Sequence, residues 1–100
     1  MNTPNSTRHN PDAELMAMIR RHEALWTEWD LADDDDPRIP SFCRESVELE
    51  RKIVATPAFT ADGLDGKRRV AELAELQSWD DLGIVDTIFA LDGERVVSAR

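Results

Sequence analysis

The sequence predicts an all-α protein: a long antiparallel helical hairpin followed by two shorter helices, packed as an oligomeric bundle. Three observations carry that prediction. Apolar residues return at three- and four-residue steps through most of the chain. Asp, Thr and Ser stand where helices would begin, and Thr-Pro and Asp-Gly where they would end. With 100 residues, of which 23 are Leu, Ile, Val or Phe, the chain has one modest core to bury, and leftover apolar surface favours pairing with a second copy.

Residues 1–11 are polar and rich in Asn, Thr and Pro, and read as a flexible tail before a single helical domain over 12–100. The first helix runs Asp12 to Leu31, its stripe Leu15, Met18, Ile19, His22, Leu25, Trp26 and Trp29. Asp12 is placed to cap it, and Glu14 suits the positive end of the helix dipole. Asp33 to Asp36 would oppose the negative end, so the helix stops near Leu31. For the second helix, Asp36 can cap with Pro37 in the first turn. Pro40 also restrains Ile39 away from helical geometry, so the start can slip to Ser41. The stripe Phe42, Ser46, Leu49 and Ile53 carries the helix to Ala55, where Thr56-Pro57 ends it.

Thr60 caps the third helix, with Asp62 in its first turn and Leu64, Val70, Leu73, Ala74 and Leu76 as apolar positions. Gly63 and Gly66 weaken its opening, which places the firm part after Gly66. Ser78-Trp79-Asp80-Asp81 fits the Ser-x-x-acid opening of a fourth helix, with Leu82, Val85, Ile88, Phe89 and Leu91 on its face and Gly93 as its stop. A rival exists here: residues 84–91 are rich in β-branched side chains and Asp92-Gly93 is a favoured hairpin turn. An isolated hairpin is marginal in water, so the helix is preferred.

A formal charge of −9 argues against direct binding to nucleic acid or to an anionic membrane surface. The longest apolar run, Leu15 to Ile19, is too short to span a bilayer, and the N-terminus has no apolar signal segment. One cysteine fits a reducing, cytoplasmic setting.

The chemistry-bearing motifs fail one by one. Read as an EF-hand from Asp34, the acidic run puts Arg38, Ile39 and Pro40 at the fifth, sixth and seventh positions, where an acceptor and Gly belong. Gly63-Leu64-Asp65-Gly66-Lys67 lacks the spacing and the Ser or Thr of a phosphate loop. His9, His22 and Cys43 are too scattered to define zinc or a nucleophile and base. No cofactor, metal or catalytic residue is therefore assigned. Trp26 and Trp29 share a face with Leu25; this face is either core or an interface, and Leu25, Trp26 and Trp29 are the candidate interface. Glu28, Asp30, Asp33, Asp34, Asp35 and Asp36 form a candidate acidic surface. The window from Glu23 to Asp36 holds seven acids and no base, so most of the net charge has one address.

The segment Ala55-Thr56-Pro57-Ala58-Phe59-Thr60-Ala61-Asp62-Gly63-Leu64-Asp65-Gly66-Lys67, continuing through Arg69, Val70 and Ala71, resembles a recurring stretch of small uncharacterised bacterial helical proteins, some encoded near prophage or mobile-element genes. Ile88, Leu91, Asp92 and Gly93 are similar too. The resemblance implies a helix rather than a hairpin at the end of the chain, and no activity. The expected function is a non-enzymatic interaction or assembly protein, with accessory of a mobile element as its narrower form, acting as a homo-oligomer or on a protein with a basic surface. An acidic decoy that imitates nucleic acid is the second expectation, and a small helical-bundle enzyme the last.

Overall fold

The computed structural model describes residues 10–76 and 83–98, and all statements below concern them. They form four helices and no strand: α1 (Ala13–Leu31), α2 (Ile39–Ala55), α3 (Ala61–Leu73) and α4 (Ile84–Ser98). The all-α reading holds, and the hairpin alternative for the last segment is excluded, because helix continues without interruption through Asp92-Gly93 to Ser98. Gly93 is an interior helical residue, not a stop. The fourth helix opens at Ile84 rather than at Ser78, because Gly83, at φ 68°, stands outside the helix and its carbonyl accepts the bond from Thr87 N–H; residues 77–82 lie outside the described residues.

Contacts fix the directions. Arg21 meets Glu45, Trp26 meets Ser46 and His22 meets Glu50, so α1 and α2 run antiparallel. Gly63 lies against Asp12, Gly66 against Ile19 and Arg69 near Glu23, so α3 runs parallel to α1. Lys67 pairs with Asp92, while Arg68 and Glu72 share a cleft with Asp86 and Phe89; α4 therefore returns antiparallel to α3. The core is built at the base of the hairpin from Leu15, Ile19, Ile53, Ala58, Leu64, Val70, Ala71, Phe89 and Val96. Leu25 and Phe42 are buried nearer the hairpin tip, outside that cluster.

The helix boundaries correct three expectations. Asp12 precedes α1 but does not cap it: its side chain makes no bond to the first turn of that helix. Instead its carboxylate accepts from Phe59 N–H, Thr60 N–H and the Thr60 hydroxyl, all at 2.6–3.1 Å. The second helix starts at Ile39, with Pro40 in its first turn, rather than at Pro37 or Ser41. Asp36 accepts from Arg38 N–H at 2.8 Å and its carbonyl accepts from Ile39 N–H at 3.1 Å, a turn that delivers Ile39 in helical geometry despite the following proline. Finally, α3 is helical from Ala61, capped as expected by Thr60, whose hydroxyl accepts from Gly63 N–H at 3.0 Å. Its glycines are not loose. A Cβ on Gly63 would overlap the Asp12 carboxylate, and one on Gly66 would lie 2.6 Å from Ile19 Cδ1, so both let α3 approach α1 closely.

Candidate functional site

Two polar clusters lie along the hairpin; the first borders a small cavity of about 100 Å³ and the second a wider trough. The first surrounds the connection between α2 and α3. Lys67 and Asp92, both fully buried, form an ion pair at 2.5 Å. Lys67 Nζ also donates to the Thr56 carbonyl at 2.8 Å, and Asp92 Oδ1 accepts from Ala58 N–H at 3.0 Å and from Arg95 at 2.8 Å. Thr56 N–H closes on the Lys52 carbonyl. With Asp12 taking Phe59 and Thr60, every backbone N–H from Thr56 to Thr60 has a partner, Pro57 having none to place. The segment Ala55 to Lys67 is thus a clasp whose inward residues Ala58, Gly63, Leu64, Gly66 and Lys67 are buried. Thr60 caps, Gly63 makes room for Asp12, and Lys67 grips Thr56. These side chains serve the fold.

Sequence reasoning missed Lys67 and Asp92, although a signal was present. Lys67 stands three residues from both Leu64 and Val70, and Asp92 stands three from Phe89 and four from Val96, so each charge occupies a core register. Two opposite charges in core registers of neighbouring helices must find each other, because an isolated buried charge is prohibitive.

The second cluster joins α1 to α2. Glu50 Oε2 accepts from the Ser46 hydroxyl at 2.6 Å and lies 2.9 Å from His22 Nε2, and Ser46 Oγ accepts from Trp26 Nε1–H at 2.8 Å. The ring of His22 is fully buried, and its Nδ1 has no hydrogen-bond partner. His22, Ser46 and a carboxylate invite comparison with a nucleophilic triad, but the connections are wrong. The serine proton is directed at Glu50, and the same imidazole nitrogen faces both Glu50 and Ser46, leaving no base, nucleophile and orienting acid in series. Ser46 is also buried. The cluster is a polar latch that sets the register of the hairpin. Among the described residues, no three His, Cys, Asp or Glu converge on a common point as metal ligands.

Above the latch the surface opens. The rings of His22 and Trp26, and of Trp26 and Trp29, succeed one another with centroids 5.7 Å apart, forming an aromatic wall along α1. Trp26 and Trp29 are partly exposed, whereas Leu25 is fully buried, so of the three candidate interface residues only the two indoles reach the surface. Opposite them stand Cys43 and Val47 on α2, and Leu73 at the end of α3. Leu73 is 49% exposed and Val47 39%. This hollow, about 190 Å³, shares Leu73 and Glu75 with a larger cleft of about 590 Å³ between α1 and α3, where Glu23, Glu72 and Arg69 form the rim. The two make one trough along the end of α3.

Beyond Trp29 lies the acidic tip. Glu28, Asp30, Asp33, Asp34 and Asp35 are exposed, as expected. Asp36 differs: it is partly buried and bound by Arg38, whose guanidinium and backbone N–H hold its carboxyl below the usual carboxylate range. It is a turn residue rather than free acidic surface. On the flank of the hairpin, a hydrogen bond from Arg21 similarly holds Glu45 below its ordinary value.

No family model matches the chain, and neither does any curated protein or solved structure. Among the described residues, no helix is long and apolar enough to cross a membrane.

Proposed function

We propose that this chain is a non-enzymatic interaction protein that takes its partner in the trough walled by Trp26 and Trp29. The supporting observation is the placement of the two indoles: a core this small leaves its largest apolar side chains partly in solvent, facing exposed Leu73 and Val47 across a hollow. Tryptophan anchors at the centre of a concave, partly apolar surface are where binding energy concentrates in protein interfaces. The rest of the molecule supplies rigidity. The clasp fixes α3 against α1, and the latch fixes α2, so the trough is preformed and little ordering entropy is lost on docking.

The test compares proteins captured from the native cell by the unaltered chain and by Trp29→Ala, with circular dichroism to show that the variant keeps its helices. Specific partners should be lost with Trp29→Ala and kept with Arg68→Ala, on the exposed face of α3. An identical set of captured proteins for all three would rule out the trough as the docking site.

A further inference from the structure

We propose that the occupant of the trough is a basic amphipathic helix of a partner protein; this rests on reading the trough as a docking site. The argument is one of charge and backbone complementarity. Glu23, Glu72 and Glu75 line the larger cleft with His22, and Arg69 is the one Lys or Arg among its described lining residues, 3.8 Å from Glu23 with both side chains more than half exposed. The C-terminal ends of α1 and α3 lie at this end of the molecule beside the N-terminal ends of the antiparallel α2 and α4, so the helix dipoles offset one another and side-chain charge sets the field at the trough. Neither α1 nor α3 has a basic residue in its last turn. Glu28 and Asp30 sit instead in the last turn of α1, where a carboxylate weakens the helix that carries it.

Glu75 adds a second cost. It follows the end of α3 with φ of 53°, the left-handed region that glycine adopts freely and other residues adopt under strain. Glu28 and Asp30, exposed acids in a turn where the helix itself disfavours them, are the pattern expected of a recognition surface.

The same charges disfavour a second copy in this trough. A two-fold contact through it would set two acidic rims face to face. A helical occupant is favoured because the walls are side chains of helices, and no strand edge among the described residues offers backbone pairing. A segment docking here must satisfy its own backbone groups, as a helix does, and present apolar anchors to Trp26, Trp29 and Leu73 with Lys or Arg toward the rim.

The test is a titration of the isotope-labelled chain, followed by NMR at the indole N–H groups of Trp26 and Trp29. The probes are an amphipathic helical peptide of Leu and Lys and its Leu and Gln counterpart. The Lys peptide should shift both indoles and bind about tenfold or more tightly than the Gln peptide at low salt, with the gap closing at high salt. Glu72→Lys should weaken the Lys peptide about tenfold and leave the Gln peptide unchanged. Trp29→Ala, which keeps every charge, should also weaken the Lys peptide; an unaffected affinity would mean adventitious attraction to the acidic tip and overturn the proposal. Equal affinity of both peptides, with both indoles shifted, would overturn the basic partner while leaving the trough as a docking site. If neither peptide moved the indoles, the docking site itself would fall.

Discussion

The two polar clusters of this small protein are finished differently. At the base of α1, the clasp of Asp12, Lys67 and Asp92 gives each of these buried charges, and every backbone N–H from Thr56 to Thr60, a hydrogen-bond partner beside the main core. Toward the tip, the latch of His22, Ser46, Glu50 and Trp26 leaves His22 Nδ1 without a partner, and two of its members, Trp26 and Glu50, stand partly in solvent beside a trough. The first is what a fold needs when its core is small. The second departs from that economy where surface is exposed, and the difference divides the molecule into a structural end and a recognition end.

That division can be broken most forcefully at the clasp. Lys67→Met leaves Asp92 buried with its principal counter-charge gone and should cost about 3–5 kcal/mol of stability, read from chemical denaturation. A loss no larger than that of an exposed lysine would show that the clasp is not closed. Next in size is Gly66→Ala. The added methyl lies 2.6 Å from Ile19 Cδ1 and should cost about 1–3 kcal/mol, because the core must shift to admit it. Gly93→Ala sharpens the point from the other side: nothing lies within 4 Å of its Cβ, it is interior to α4, and the change should stabilise the protein by about 0.5–1 kcal/mol. The smallest effect belongs to the exposed pairs. The carboxyls of Glu45 and Asp36 have folded-state values lowered by Arg21 and Arg38. Their small stabilisation is present above the ordinary carboxylate values and is lost as pH falls through the lowered ones. Glu45→Gln should lower stability slightly at neutral pH and leave it unchanged in acid, so a series of pH-dependent melts should show a flatter acid limb.

Much of the architecture was legible because it follows from period alone. The stripe from Leu15 to Trp29, the break at the acidic run, the Thr56-Pro57 stop and the Thr60 cap are local signals, and all of them hold in the structure. What was not legible depended on partners far along the chain. Asp12 is an N-cap by position, but its carboxylate is taken by residues more than forty positions away, where backbone donors outnumber local acceptors. Gly63 and Gly66 looked like weak points because their neighbours on α1 could not be read from sequence. Lys67 enters the sequence reading at the end of a failed phosphate loop, although its register places it in the core. At the candidate site, Trp26 and Trp29 were legible as either core or interface, and Leu25 was assigned to the interface because a helical stripe does not reveal where the core ends. Glu50, the centre of the latch, gave no signal until α2 was seen against α1. Ser46 and His22 had been marked only as polar members of two stripes.

The central claim is that the tip of the hairpin is a docking surface rather than core, and Trp29 states it most simply. The direct measurement is the change in unfolding free energy on Trp29→Ala. A tryptophan that packs in a core costs about 3–5 kcal/mol when cut to alanine. The recognition end predicts a loss of about 1 kcal/mol or less, since surface substitutions away from buried features stay small. A loss in the core range would contradict the division and return the tryptophans to the fold.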